Sequence, residues 1–154
     1  MRTATVVGAG VAGPVVAIAL QRAGWRPTVY EAHEGTADDV GAFLTLQVNG
    51  IDALRTLGLG DAVAALGFRT PRMRFRSGSG KALGEVSTGA PLPDGTVGVT
   101  LRRSDLYRAL RDEAVARGIA IEHGRGLVDA RPVPGGVRAE FADGGAATAD
   151  ILVG

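Results

Sequence analysis

The chain has 154 residues, 45% hydrophobic and 21% charged, which is typical of a globular protein with one core. Its formal net charge of +1 gives no electrostatic reason to expect binding to nucleic acid or to an anionic membrane. The lack of cysteine excludes disulfides and thiolate sites, and the lack of an apolar leader or long apolar run predicts a cytoplasmic protein without a membrane partner.

The first thirty residues predict a strand, a helix and a second strand. The β-branched, apolar stretch TATVVG at residues 3–8 is typical of a buried parallel strand. From Gly13 to Ala23, small and aliphatic residues follow helical spacing, and Gly24 is expected to end the helix. The stretch PTVYE then predicts a strand that ends at Glu31.

The stretch VVGAGVAGP has the glycine spacing of a dinucleotide-binding turn. Gly8 allows the tight turn, Gly10 lets the backbone approach a diphosphate, and Gly13 lets the helix pack closely on the strands. Free amides at the helix start and the helix dipole favour phosphate charge. Glu31 can accept hydrogen bonds from ribose hydroxyls, and its charge argues against a 2′-phosphate. The turn therefore predicts a site for FAD or NAD.

The middle of the chain predicts an insertion before a third parallel strand. The stretch QVNGIDALRTLGLG predicts a helix capped by Asn49 and ended by Gly58. The following stretch alternates Arg72, Arg74 and Arg76 with apolar residues, which predicts an antiparallel hairpin. Only RGIAIEH then resembles a further parallel strand. This order argues against a simple NAD-linked dehydrogenase.

Four stretches, in order and at sensible spacing, resemble the FAD-dependent aromatic monooxygenases of the para-hydroxybenzoate hydroxylase type. The family's N-terminal fingerprint resembles VVGAGVAGPVVAIALQRAGWRPTVYE, and its second motif resembles GAFLTLQVNGIDALRTLGL. Its arginine-x-x-leucine-x-x-x-leucine signature matches Arg103, Leu106 and Leu110 in LRRSDLYRAL, and the strand, turn and strand before its Gly-Ala-Asp-Gly motif resemble VRAEFADGGAATADILVG.

The resemblance implies an α/β fold, namely a Rossmann-like FAD-binding domain of the glutathione-reductase type with an inserted antiparallel hairpin. Residues 1–70 and 101–154 would belong to the FAD-binding domain, and residues 71–100 would begin a substrate domain. The sequence stops before the expected Ala-Asp-Gly, so we expect it to be the N-terminal portion of a longer protein. The remainder of the polypeptide would then be its partner, and this portion alone would be inactive.

The resemblance also implies which residues bind the cofactor. The diphosphate would lie against the glycine-rich turn and the first amides of the helix. The ribose would contact Glu31, and the flavin would contact the loop that contains Gly41 and Ala42. Arg103, at the start of a helix that Ser104 could cap, would reach the diphosphate or the ribityl chain, and the backbone of Leu127 would meet the adenine. Ala32 stands where the family often has a basic residue. The full set is Gly8, Gly10, Val11, Ala12, Gly13, Glu31, Ala32, Gly41, Ala42, Arg103 and Leu127.

The implied reaction uses NAD(P)H and O2 to hydroxylate an aromatic or polyketide-like small molecule through a flavin C4a-hydroperoxide. Since the cofactor carries this chemistry, we expect no catalytic side chain and no metal site in this chain. His33 and His123 are interpreted as surface or structural residues, and the arginine stripe as a solvated strand face, with substrate steering as its alternative.

Three other functions stay open at this point. A flavin-dependent halogenase or a flavin-dependent reductase would share the fold but not the reaction. An NAD-linked dehydrogenase would share the glycine-rich turn. A non-catalytic nucleotide-binding fragment would need the turn alone.

Overall fold

The computed structural model describes residues 1–35 and 42–154, which form two compact units. The first unit comprises Met1–Asp38 and Tyr107–Gly154, and the second comprises Asp39–Leu106. In chain order the elements are β1 (Thr3–Val7), α1 (Ala12–Arg22), β2 (Arg26–Tyr30), β3 (Phe43–Leu46), α2 (Val48–Thr56), α3 (Gly60–Ala64), β4 (Phe68–Arg69), β5 (Arg72–Arg76), β6 (Ala82–Ser87), β7 (Val99–Arg102), α4 (Arg103–Ala116), β8 (Ala120–Glu122), β9 (Leu127–Val133), β10 (Gly136–Phe141), β11 (Ala146–Ala149) and β12 (Ile151–Val153).

A parallel sheet of four strands, in the order β12-β1-β2-β8, forms the centre of the first unit. Helix α1 connects β1 to β2 and buries Ala17 and Ile18 completely. The helix ends at Arg22 and is followed by the capping residue Ala23 and by Gly24, whose φ of 83° is a conformation that glycine adopts readily. The predicted strand–helix–strand unit and the third parallel strand are therefore confirmed.

An antiparallel sheet in the order β11-β10-β9 completes the first unit. Its inner face packs against the end of β2, because the ring of Phe141 stacks on that of Tyr30 with 4.6 Å between centroids. Leu127 and Leu152 pack around this pair. Strand β12 returns to pair with β1, so the end of the sequence lies in the parallel sheet. The strand–turn–strand pattern predicted for residues 137–153 is thus confirmed.

The second unit contains an antiparallel sheet in the order β3-β7-β4, with the buried residues Ile51 and Leu54 on α2. Asn49 does not cap α2, so that prediction is wrong. The chain is still extended at Gln47, which occupies the capping position, and the helix begins at Val48. Asn49 therefore lies in the first turn, where its side-chain oxygen accepts a hydrogen bond of 3.0 Å from its neighbour's amide.

The predicted hairpin is present as β5 and β6, which pair antiparallel with Arg74 opposite Glu85. All residues of both strands are exposed. The carboxylate of Glu85 pairs with Arg72 at 3.1 Å and with Arg74 at 2.6 Å. Both ion pairs lie at the surface, as expected for a solvated strand face.

In the described residues, no helix is both long enough and apolar enough to span a membrane. The assignment of residues 1–70, 71–100 and 101–154 to cofactor and substrate domains remains a prediction.

Candidate dinucleotide-binding site

The glycine-rich turn between β1 and α1 is tight because Gly8 and Gly13 lack a side chain. Gly8 has a φ of 92°, and its amide donates to the carbonyl oxygen of Tyr30 at 2.7 Å. A Cβ on Gly13 would collide with the carbonyl oxygen of Gly8 and would lie 3.7 Å from the side chain of Val29. Gly13 therefore lets the first turn of α1 lie directly against the end of β1.

The opposite side of the same turn is open. A Cβ added to Gly8 or Gly10 would meet no atom within 4 Å among the described residues. Helix α1 follows from Val11, whose side chain makes no capping hydrogen bond, and no acidic residue lies in the first turn. The first amides of a helix have no partner within the helix, and they carry the positive end of its dipole. This surface fits a diphosphate, which needs both room for backbone approach and amide donors.

Glu31 follows β2 directly and contacts the glycine-rich turn. One carboxylate oxygen accepts a hydrogen bond of 2.7 Å from the amide of Ala9, and the other accepts one of 3.0 Å from the amide of His33. Burial favours a higher pKa for the Glu31 carboxyl, but these two bonds and the nearby imidazoles of His33 and His123 outweigh it and lower the pKa. Glu31 is therefore held as a carboxylate, which has lone pairs left to accept from ribose hydroxyls.

Two histidines, His33 and His123, lie beside Glu31, although sequence reasoning predicted no partner for either of them. Nδ1 of His123 lies 3.3 Å from the carbonyl oxygen of His33, across 90 positions of sequence. His33 comes shortly after β2 and His123 directly after β8, and these two parallel strands are neighbours. Because the carboxyl ends of parallel strands meet at one edge, this placement is a sequence signal that could have been used.

The remaining predicted residues of the first unit also lie at this edge. Ala32 is exposed beside Glu31, and a Cβ on Gly126 would lie 3.5 Å from that of Ala32. Leu127 begins β9, and its side chain packs against the cluster that contains Phe141. The contact of the Leu127 backbone with adenine stays a prediction.

Two of the predicted residues of the second unit, Ala42 and Arg103, are joined by a backbone hydrogen bond. Arg103 is the first residue of α4, and its amide donates to the carbonyl oxygen of Ala42 at 3.2 Å. Ser104 is the second residue of α4 rather than the residue before it, so the predicted cap is wrong. Gly41 lies outside the described residues, and the flavin contacts predicted for Gly41, Ala42 and Arg103 stay predictions.

Comparison with known proteins agrees with the resemblance described above. The family called FAD binding domain matches residues 1–153. The 3-amino-4-hydroxybenzoate 2-monooxygenase of Streptomyces cremeus is 37% identical over 155 residues, which cover 97% of this chain and 38% of the relative. The chain therefore spans about two-fifths of the length of that relative.

Two solved structures show the same fold. Klebsiella pneumoniae HpxO, in complex with FAD and uric acid, has a TM-score of 0.81 and 27% identity, and the match covers 98% of this chain and 38% of that one. A variant of 2-methyl-3-hydroxypyridine-5-carboxylic acid oxygenase has a TM-score of 0.83 and 30% identity, with coverage of 100% and 39%. Both matches are consistent with the α/β fold expected from the sequence.

Proposed function

Since this chain belongs to the FAD binding domain family, we propose that it is the cofactor-binding part of a flavin-dependent monooxygenase that hydroxylates a small aromatic molecule. The observation that carries the proposal is the glycine-rich turn, which is open at Gly10, followed by an uncapped helix start and bordered by the Glu31 carboxylate. This combination fits the diphosphate and the ribose of one dinucleotide.

Each side of the site has a distinct role in the proposal. Gly8, Gly10 and Gly13, with the amides of Val11 and Ala12, bind the diphosphate. The Glu31 carboxylate orients the adenosine ribose, and its negative charge disfavours a 2′-phosphate at that position. Bound FAD supplies the redox chemistry with NAD(P)H and O2, while the protein binds and orients it.

The matched proteins favour this function over the alternatives left open by the sequence. The Streptomyces cremeus relative is named a monooxygenase of 3-amino-4-hydroxybenzoate, and HpxO was solved with FAD and uric acid. Both names describe small aromatic or heteroaromatic compounds. We infer the same substrate class for the complete protein, with the aromatic ring as the site of oxygen insertion.

The test uses the complete protein. We expect it to carry a visible flavin spectrum and to oxidise NADH or NADPH faster when a compound such as 3-amino-4-hydroxybenzoate or urate is added. The product should contain one oxygen atom from labelled O2. A protein that binds neither FAD nor ADP would contradict the proposal, and a halogenated or reduced product would replace hydroxylation with one of the alternative reactions.

A further inference from the structure

The Arg125 side chain contacts three residues at the edge that carries Glu31. Its Nη1 lies 2.7 Å from a carboxylate oxygen of Asp143, and its Nε lies 3.2 Å from Glu122. Its guanidinium also lies over the ring of Phe141, with 5.7 Å between the guanidinium carbon and the ring centroid. One side chain thus joins the end of β8 to the turn between β10 and β11.

The protein leaves space for this arrangement. Gly145 lies in the β10–β11 turn, and a Cβ there would collide with the Arg125 guanidinium. The amide of Gly145 instead donates to the second oxygen of Asp143 at 2.9 Å. Asp143 therefore fixes both its own turn and the Arg125 guanidinium. A lysine at position 125 could not reproduce this arrangement, because its ammonium group lacks the planar, forked donors of a guanidinium.

The backbone around Arg125 makes hydrogen bonds to two segments, the residues that follow β2 and the β10–β11 turn. The amide of Arg125 donates to the carbonyl oxygen of Glu31 at 2.8 Å, and that of Gly124 donates to His33 at 3.1 Å. On the other side, the amide of Ala142 donates to the carbonyl oxygen of Gly126 at 2.8 Å. Residues 124–126 thus form a strap between the segment after β2 and the β10–β11 turn.

We propose that Arg125 is a positioning residue for the adenosine end of the dinucleotide. The side chain fixes the strap, and the strap fixes the backbone of Glu31 on one side and leads into Leu127 on the other. The guanidinium contacts the carboxylates of Glu122 and Asp143 and the ring of Phe141. Arg125 therefore acts on the ligand through the strap rather than by direct contact. This inference rests on the proposed function, because it assumes that the site binds a dinucleotide.

The test measures the affinity of the complete protein for ADP, which lacks the flavin, and for FAD. We expect R125A to raise the Kd for both ligands about tenfold, which corresponds to a loss of 1.4 kcal/mol in binding free energy. D143N should act in the same direction, and R125A/D143N should be no worse than R125A, because the two groups act as one pair. R125K should recover part of the affinity, because lysine keeps the positive charge but cannot reproduce all the contacts of the guanidinium with Asp143, Glu122 and Phe141.

The matched control is R131A. Arg131 pairs with Glu140 at 2.7 Å on the same antiparallel sheet, so R131A removes a comparable ion pair from the pairing of β9 with β10. Its Kd for ADP should equal that of the wild type. Equal ADP affinity in R125A and wild type would overturn the inference, as would an equal loss in R125A and R131A.

Two further outcomes are informative. If R125A does not fold, D143N decides, because wild-type ADP affinity in D143N would overturn the inference. If the wild type itself binds neither ADP nor FAD, the proposed function fails and the inference fails with it, which is distinct from a failure confined to R125A.

Discussion

Replacing Glu31 by glutamine tests whether one carboxylate holds both the glycine-rich turn and the ribose. The carboxylate accepts from the Ala9 amide at 2.7 Å and from the His33 amide at 3.0 Å. A glutamine side chain has one acceptor oxygen, so it can satisfy only one of these amides. Its NH2 group would then face the other amide, which is also a donor.

The expected effect on FAD binding follows from the hydrogen bonds that the Glu31 carboxylate is proposed to accept from the ribose, and the expected effect on stability follows from its bonds to Ala9 and His33. A hydrogen bond to a charged acceptor contributes about 1.5–3 kcal/mol, and partial exposure places Glu31 at the lower end of that range. Loss of about 1.5 kcal/mol from the ribose contact corresponds to a Kd for FAD about tenfold higher than that of the wild type. Because the Ala9 and His33 bonds exist without a ligand and glutamine can keep only one of them, the free energy of unfolding of the FAD-free protein should fall by about 1.5 kcal/mol.

The assay is a fluorescence titration of FAD with the complete protein, together with urea unfolding in the absence of FAD. The control is E34Q, which removes an exposed carboxylate from the same segment and should leave both quantities unchanged. A Kd for FAD in E31Q within about twofold of the wild type, with unchanged unfolding, would refute the role assigned to Glu31.

Two other predictions concern the same turn. G13A should lower the free energy of unfolding by about 1–3 kcal/mol, because its Cβ collides with Gly8. G10A should leave unfolding within about 0.5 kcal/mol of the wild type, because its Cβ meets no described atom, yet it should weaken FAD binding in a titration. The pKa of Glu31 in the folded protein is lowered from 4.5, so its contribution to stability should be complete above pH 4.5. This contribution should be lost as the pH falls through the lowered pKa of the folded protein. In thermal melts over this acidic range, the Tm of E31Q should therefore depend less on pH than that of the wild type.

The parts of the fold that sequence reasoning predicted are those with local signals. The strand–helix–strand unit follows from apolar periodicity, from the three glycines of the turn and from Gly24, all within thirty residues. The hairpin follows from the alternation of arginine with apolar residues and from the glycine-containing turn at residues 77–80. Asn49 shows the limit of such signals, because residue type favours asparagine as a cap but the extended backbone at Gln47 decides where α2 begins.

The parts that could not be predicted depend on contacts between distant residues. The spacing of His33 and His123 alone does not indicate that they meet, because their hydrogen bond spans 90 positions and depends on the pairing of β2 with β8. Arg125 likewise pairs with Asp143, which lies on a turn that a single sequence does not place beside β8. These contacts exist because β2, β8 and the antiparallel sheet end at the same edge.

The two sides of the candidate site therefore differ in what holds them. The diphosphate side depends on missing side chains, since Gly10 leaves room for a ligand and Gly13 leaves room for Gly8. A missing side chain is visible in one sequence because only glycine has none. The ribose side depends on hydrogen bonds that the Glu31 carboxylate accepts and on those that the Arg125 guanidinium donates. The tertiary fold sets the partners of both groups. The first side therefore has a motif that can be recognised from spacing, whereas on the second side spacing predicts Glu31 but neither Arg125 nor the partners of these two residues.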